Sequence, residues 1–346
     1  MNRFFFFKAA FVFFLVVGSM FARWSGWRSN VAVEFGYNDN AVQLTDTEIE
    51  LFENGDPKWL RLESTDDGFT RAGIDFEYRF RFGDIRAVTG CDYRFTKYLL
   101  DSERDYHFVR PFVDIRAGDF RCEAAIAAMP GYAAAIYGDV DLPDEPNVWA
   151  KYSMVRGELD ARYEVFPKHS FGVAAKIERD KYNDYFPEYD GTSYRIGPTW
   201  RWSGPVYLKL HYVYRTYKAR GYDTDGETLE SSDETDISYI EDRFEGYISR
   251  DVEILGKDCL LGASWNLSHR FYTSEKPFSM DYIHIGRRDR RADIEPFFSV
   301  EIIDRIECTL SYKFTVRDAD SPYFDLDSVK DYSRSIVGVK FDYSIR

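Results

Sequence analysis

The sequence predicts an all-β fold, a transmembrane antiparallel up-and-down β-barrel of about fourteen strands, with twelve or sixteen as the alternatives. Three observations predict it: segments that alternate apolar and charged residues, connections that alternate in length, and an N-terminus of export type. The alternation is clearest over residues 68–97. From Thr70 one set runs Ala72, Ile74, Phe76, Tyr78, Phe80, Phe82 and the other Arg71, Gly73, Asp75, Glu77, Arg79, Arg81. After Gly83-Asp84 the pattern resumes, with Ala87, Thr89, Cys91, Tyr93 and Phe95 opposite Arg86, Val88, Gly90, Asp92, Arg94 and Thr96. Successive side chains on a strand point to opposite faces, so this is a hairpin with one apolar and one largely charged wall.

The N-terminus carries Arg3 and Lys8, an apolar run and a small residue, Ala22. Residues 1–22 read as a secretory signal peptide, which leaves 23–346 as a single barrel domain. Beyond residue 22 no apolar run is long enough for a membrane helix. Export without such a helix, in a chain of alternating strands, points to the outer membrane of a Gram-negative bacterium. The net charge is −14, and removing two basic residues with the signal peptide makes it −16. So acidic a chain is a poor nucleic-acid binder.

The other strands follow in order. The first, Asn30–Asn38, alternates Val31, Val33, Phe35 and Tyr37 with Ala32, Glu34 and Gly36. The fourth, Phe108–Ala117, sets Val109, Val113 and Ile115 against Arg110, Asp114 and Arg116. The fifth begins Phe120, Arg121, Cys122. The sixth, Lys151–Val165, places Leu159, Ala161 and Tyr163 opposite Arg156, Arg162 and Glu164. The seventh carries Phe171, Val173, Ala175 and Ile177, and the eighth carries Tyr194, Ile196, Trp200 and Trp202 against Arg195 and Arg201. The ninth alternates Leu208, Leu210, Tyr212 and Tyr214 with Lys209, His211 and Arg215. The tenth, near Ile240–Arg250, has the weakest pattern. Leu261, Ala263, Trp265 and Leu267 mark the eleventh, Ala292, Ile294 and Phe298 the twelfth, Cys308, Leu310, Tyr312 and Phe314 the thirteenth, and Ser335–Ile345 the last.

Short connections fall at 83–84, 118–119, 166–169, 203–205, 252–257 and 303–304. Long ones fall at 39–67, 98–107, 138–147, 181–191, 218–237, 272–283 and 318–331. Short periplasmic turns and long external loops are the outer-membrane pattern, and both termini then lie in the periplasm. The stretch 47–63 reads as an external hairpin turning at Asn54-Gly55, with arms too short to span. Aromatics at strand ends, such as Trp200 and Trp202, read as interfacial girdles that meet membrane lipid.

The C-terminal stretch Gly338-Val-Lys-Phe341-Asp-Tyr343 resembles the β-signal of outer-membrane proteins, although the chain runs on to Ser344-Ile345-Arg346. That resemblance implies recognition by the barrel-assembly machinery through Gly338, Phe341 and Tyr343. The stretch EFGYNDNAVQLTD (34–46) is similar to the first strand of uncharacterised β-barrel porin families. Together they imply an outer-membrane barrel of porin type.

The inward wall is then dense in paired signs of charge. Its expected pore-lining residues are Arg71, Asp75, Glu77, Arg79, Arg81, Arg94, Arg110, Asp114, Arg116, Arg121, Arg156, Arg162, Arg195 and Arg201. These rows either border a pore for small polar or charged solutes or pair across the bore and close it. A closed barrel would work through its external loops, which are strongly acidic: 39–67 holds nine acidic and two basic residues, and 218–237 seven and two. Such loops suit divalent cations bridging to anionic surface groups. Asp223-Thr-Asp225-Gly226-Glu227 has some calcium-loop character but lacks the remaining ligands. Residues 130–147, opening with Pro130-Gly131 amid alanines, are expected either to dip into the lumen or to form a bulged strand and an ordinary loop.

The four cysteines fall on apolar faces without a C-x-x-C spacing, so free thiols and no metal site are expected, and no cofactor motif is present. A hydrolase is the remaining alternative. His211, Ser264 and Asn266 point inward and His107 lies near Asp105, but the spacing does not place a nucleophile beside a base.

Overall fold

The structure, a computed structural model, describes residues 26–138, 145–224, 226–323 and 330–345. The expected signal peptide lies outside the described residues. Fourteen strands close into one barrel, each paired with its sequence neighbours and the first with the last. They are β1 (Gly26–Asn38), β2 (Asp67–Phe82), β3 (Ile85–Tyr98), β4 (Tyr106–Ala117), β5 (Phe120–Tyr137), β6 (Val148–Phe166) and β7 (His169–Tyr182), followed by β8 (Gly191–Ser203), β9 (Tyr207–Ala219), β10 (Tyr239–Ile254), β11 (Lys257–Tyr272), β12 (Arg288–Ile303), β13 (Ile306–Asp320) and β14 (Tyr332–Ile345). All pairs are antiparallel; the closing seam matches Ser29 with Ile345 and Asn38 with Ile336. Closure leaves no unpaired strand edge, which a membrane-spanning sheet requires.

Tight turns occupy one end of the barrel and long loops the other. The β10–β11 turn is shorter than its sequence suggests. Pairing continues to Ile254 opposite Lys257, and Leu255 and Gly256 both take positive φ, 54° and 74°. Two central residues of positive φ match the twist of a hairpin.

The stretch at 47–63 is not a hairpin. It holds helix α1 (Asp46–Glu53) and a 3-10 turn at Pro57–Trp59. A capping box starts the helix: the Thr45 hydroxyl accepts from the Glu48 amide, and the Glu48 carboxylate accepts from the Thr45 amide at 2.9 Å. Asp46 and Glu48 suit the helix N-terminus. Asn54 then caps the other end and Gly55 turns away at φ 75°, so the Asn-Gly pair ends a helix instead of turning a hairpin.

The outer wall is a continuous apolar belt. Phe35, Ile74, Ile126, Val155, Val173, Ile196, Phe244, Leu267, Ile294 and Leu310 are each about half exposed, one per strand around most of the circumference. A patch of that extent does not persist in water. Towards the tight-turn end it meets aromatics such as Phe80 against Phe82 and Trp200 and Trp202 against His169. Cys91, Cys122, Cys259 and Cys308 are free. On β14, Phe341 and Tyr343 lie on this outer face, while Gly338 sits opposite Gly36 and Ser311.

Candidate functional site

The inner wall is a lattice of ion pairs, some across strands by register and some between alternate residues of one strand. On β2, Arg71 meets Glu34 of β1 at 2.7 Å, Arg79 meets Glu77 at 2.6 Å, and the Arg81 Nε donates to the Gly83 carbonyl at 2.7 Å. Asp75 stands opposite Asp92. Arg110 on β4 reaches Asp92 and Glu158 at 3.2 Å each and also Glu123. Arg121 pairs with Asp114. Arg162 and Arg201 share Asp160 at 3.5 and 3.3 Å. Arg156 bridges Glu158 at 2.6 Å and Glu178 at 3.3 Å, and Arg195 meets Glu178 at 2.5 Å. Arg94 and Arg116 close no ion pair among the described residues.

The sequence reading missed the more buried half of this lattice. Glu178 on β7 holds three guanidiniums, the third from Arg215 of β9 at 3.1 Å. Glu241 on β10 binds Arg243 and, at 3.0 Å, Arg270 of β11. Asp289 on β12 binds Arg287 at 2.7 Å and Arg317 of β13 at 2.5 Å. These residues obey the same alternation, as Arg215 does opposite the apolar face of the ninth strand.

An inward set of tyrosines lies above this belt, at the long-loop ends of the strands. Arg270 stacks over Tyr239 at 4.0 Å, Arg287 over Tyr272 at 4.6 Å and Arg104 over Tyr98 at 4.0 Å. Tyr132 packs edge-on against Tyr106 and Tyr152 at 4.9 and 5.7 Å. The aromatics at strand ends therefore form an inner ring as well as outer girdles. Period-two parity separates the two sets, because Tyr212 and Tyr217 fall on opposite faces.

The β5–β6 hairpin leaves the wall. Its register shifts twice, between Met129 and Tyr132 and between Ala133 and Ala135, and Gly131 takes φ 65°. Each shift adds a residue to β5 and bends it. The bend carries Tyr132 within electrostatic reach of Arg291 and Arg334, on β12 and β14. β12 is directly opposite β5, seven strands away in a barrel of fourteen. Further along, Lys330 stands 5.4 Å from the centre of the Tyr137 ring. One side of the hairpin, Ala133, Ile136 and Trp149, packs into a core with Val42, Leu44, Trp59 and Leu62 of the first loop and Ile49 and Phe52 of α1. The other side, Val148 and Ala150, packs on Phe186 of the β7–β8 loop. Hydrogen bonds fix both sides: the Asn147 N–H donates to the Lys58 carbonyl at 2.8 Å, and the Asn183 side-chain amide to the Trp149 carbonyl at 2.9 Å. The described part of the segment is bulged and packs against loops at the mouth, reaching Lys330; residues 139–144 lie outside the described residues.

Exposure follows this geometry. Towards the tight-turn end the inward side chains stay open to solvent, with Arg81 at 48% and Arg121 at 43%. Nearer the long loops Glu178 is 5% exposed and Glu241 1%, each enclosed by its arginines.

The loops hold their own titrating groups. Burial, then Arg287 and Arg317, draws the Lys330 ammonium down to about 8. In the β11–β12 loop burial holds the His284 imidazole below its usual range. Against the upward push of burial, hydrogen bonds from His284 and Ser274 hold Asp281 below the usual carboxylate range.

Of the residues considered for hydrolysis, His107 is on the outer face, 4.7 Å from Phe95 and 2.8 Å from the Tyr93 hydroxyl. Asp105 instead accepts from the Tyr98 amide. His211 Nδ1 lies 3.1 Å from Glu245, and His211, Ser264 and Asn266 line one cavity. No hydrogen bond joins His211 to Ser264 among the described residues. Nor is there a group of three or more His, Cys, Asp or Glu among the described residues suited to a metal ion. Asp225 of the acidic loop lies outside the described residues.

A closed barrel with an apolar outer belt and a charged interior defines an outer-membrane β-barrel protein, with its tight turns on the periplasmic side and its long loops outside. No protein-family model and no curated protein matches the chain. Among solved structures it is similar to a bacterial polysaccharide outer-membrane secretin, at 9% identity and TM-score 0.47, over 92% of this chain and 98% of that one. It is similar also to the outer-membrane protein opdK from Pseudomonas aeruginosa, at 9% identity and TM-score 0.43, over 92% of this chain and 99% of that one. A third is the outer-membrane channel DcaP of Acinetobacter baumannii, at 13% identity and TM-score 0.40, over 93% and 97%. The class assignment rests on the barrel's own geometry.

Proposed function

We propose that this protein is a porin-like channel for passive passage of small polar or charged solutes, narrowed near its outer mouth by the β5–β6 hairpin. The observation that carries the proposal is the gradient of exposure along the inner wall. Arg81 and Arg121 face open space near the periplasmic end, whereas Glu178 and Glu241, nearer the long loops, are enclosed by their arginine partners. In this reading the expected arginine rows are the lining of a vestibule, and the buried belt frames the constriction. Rows of both signs favour solutes able to exchange hydration for paired contacts. The outer belt meets lipid, and Gly338, Phe341 and Tyr343 serve barrel assembly. The test is swelling of liposomes carrying the purified barrel in isosmotic solutions of solutes of graded size. Swelling that falls off with solute size supports the channel; none with the smallest solutes overturns it.

A second reading, a sealed barrel working through its loops, is favoured by the extent of pairing around Glu178, Glu241 and Asp289. It predicts no swelling at all.

A further inference from the structure

The inner wall contains a recess of about 270 Å³ that the ion-pair lattice does not fill. It forms because β11 presents two short side chains, Ser264 and Asn266, between longer ones on β9, β10, β12 and β13. Cross-strand register explains the rest. Lys209, Tyr247, Ser264 and Glu295 are successive partners across β9 to β12. Lys313 completes the row, since Asp293 pairs with Thr315 just beside it. The next row places His211, Glu245, Asn266 and Asp293 side by side.

The two rows differ in how their charges are used. In the second row Glu245 meets His211 at 3.1 Å and Arg243 at 3.6 Å, and Asp293 meets Arg291 at 3.0 Å and the Asn266 amide at 3.0 Å. In the first row Lys209, Lys313 and Glu295 close no ion pair among the described residues. Two ammoniums and a carboxylate therefore face the recess uncommitted. Two buried polar atoms also lack partners there, His211 Nε2 and Asn266 Oδ1, and His211 is only 9% exposed. A buried polar group without a partner is costly, so a recess lined this way favours an occupant that supplies donors and acceptors.

The geometry points to a binding site for a small zwitterion, a solute carrying one carboxylate and one ammonium group. Its carboxylate would engage Lys209 or Lys313 and its ammonium Glu295. A plain anion leaves Glu295 opposed to it, and a plain cation meets two lysines of its own sign. The volume lies just below the usual range of ligand pockets, about 300–1,000 Å³, so the occupant is small. The site rests on the channel reading, as a station on the path through the wall, yet it can be tested apart from conduction.

The test is titration calorimetry on the full barrel in detergent with L-alanine, propionate and ethylamine. These share a short carbon chain and differ in their charges. Alanine is expected to bind about tenfold or more tighter than either control, the worth of one charge-assisted contact. Glu295→Gln should abolish that preference and raise propionate binding. Lys313→Gln, with Lys209→Gln as a second variant should the first misfold, should weaken alanine and propionate together. A purely structural role for these residues would not reorder the three probes. Equal binding of alanine and propionate, or no binding of any probe, overturns the site. If liposome swelling occurs while alanine shows no preference, the site fails and the channel stands. If alanine binds preferentially to a barrel that passes nothing, the site stands and the channel fails.

Discussion

The Lys330 ammonium stands 5.4 Å from the centre of the Tyr137 ring, a contact between the end of β5 and the residue that leads into β14. These elements belong to separate parts of the barrel wall, so the pair ties the hairpin down across the mouth. Tyr137 also packs on Phe186 and Tyr189 at 6.3 and 6.4 Å. Tyr137 is 39% exposed, and a cation over a ring that is open to solvent is worth roughly 0.5–1 kcal/mol. Tyr137→Ala removes this contact and the packing on Phe186 and Tyr189, so it should weaken docking by more than that amount. It should raise single-channel conductance without unfolding the barrel. Unchanged conductance in Tyr137→Ala would place the constriction elsewhere.

The same lysine makes docking depend on pH. Burial draws Lys330 down to about 8 in the docked arrangement, where Arg287 and Arg317 also oppose its charge and Glu48 and Asp289 favour it. An undocked lysine keeps its ordinary value, about 10.4. Docking therefore releases a proton between those two values. The penalty of holding the charge is fully present below about 8 and is relieved as pH rises towards 10. Conductance should fall from pH 7 to pH 10, and Lys330→Met should remove that step. A rise over the same window would contradict the assignment.

Glu178 is the keystone of the buried belt, since Arg156, Arg195 and Arg215 all converge on it. Glu178→Gln leaves Arg195 and Arg215 without a counter-charge and Arg156 with Glu158 alone. Breaking a buried pair by removing one partner costs about 3–5 kcal/mol. Unfolding titrations in urea should show a loss of that order. A variant that still inserts should become more anion-selective in reversal-potential measurements.

Ile74 lies on the outer belt at 45% exposure. Ile74→Arg should cost about 2–4 kcal/mol if that face meets the lipid midplane. A cost near zero would place the residue at an interface or in water.

Trp59 is 6% exposed in the core between the first loop and the hairpin. Trp59→Ala should cost about 3–5 kcal/mol locally. The barrel should persist while residues 39–66 become sensitive to protease. Loss of heat-modifiable migration would instead mean that this core supports the whole barrel.

Strand number, closure and the identity of the charged wall were legible in the sequence because period-two alternation is strong wherever one face meets lipid. Arg71, Arg110 and Arg195 fell on the inner face for that reason alone. Alternation says nothing about which partner a charge selects, so the convergence on Glu178 and Glu241 needed the register. The helix at 46–53 was missed because Asn54-Gly55 signals both a hairpin turn and a helix end; the capping box of Thr45 and Glu48 was the deciding cue. The inward lean at Pro130-Gly131 was visible as a break in pattern. Its destination was not, because the contacts that hold Tyr137 come from the β7–β8 loop and from Lys330, far away in sequence. His211, Ser264 and Asn266 lie far apart in the chain; adjacency through β10 brought them to one recess.

The most direct test of a lumen narrowed by the hairpin is single-channel conductance in planar bilayers, comparing the intact protein with a variant lacking residues 131–146. The intact protein should conduct weakly, with a reversal potential that shifts under a salt gradient. The shortened hairpin should conduct more strongly in a barrel that still shows heat-modifiable migration. Equal conductance in the two folded proteins, or none in either, would contradict the account.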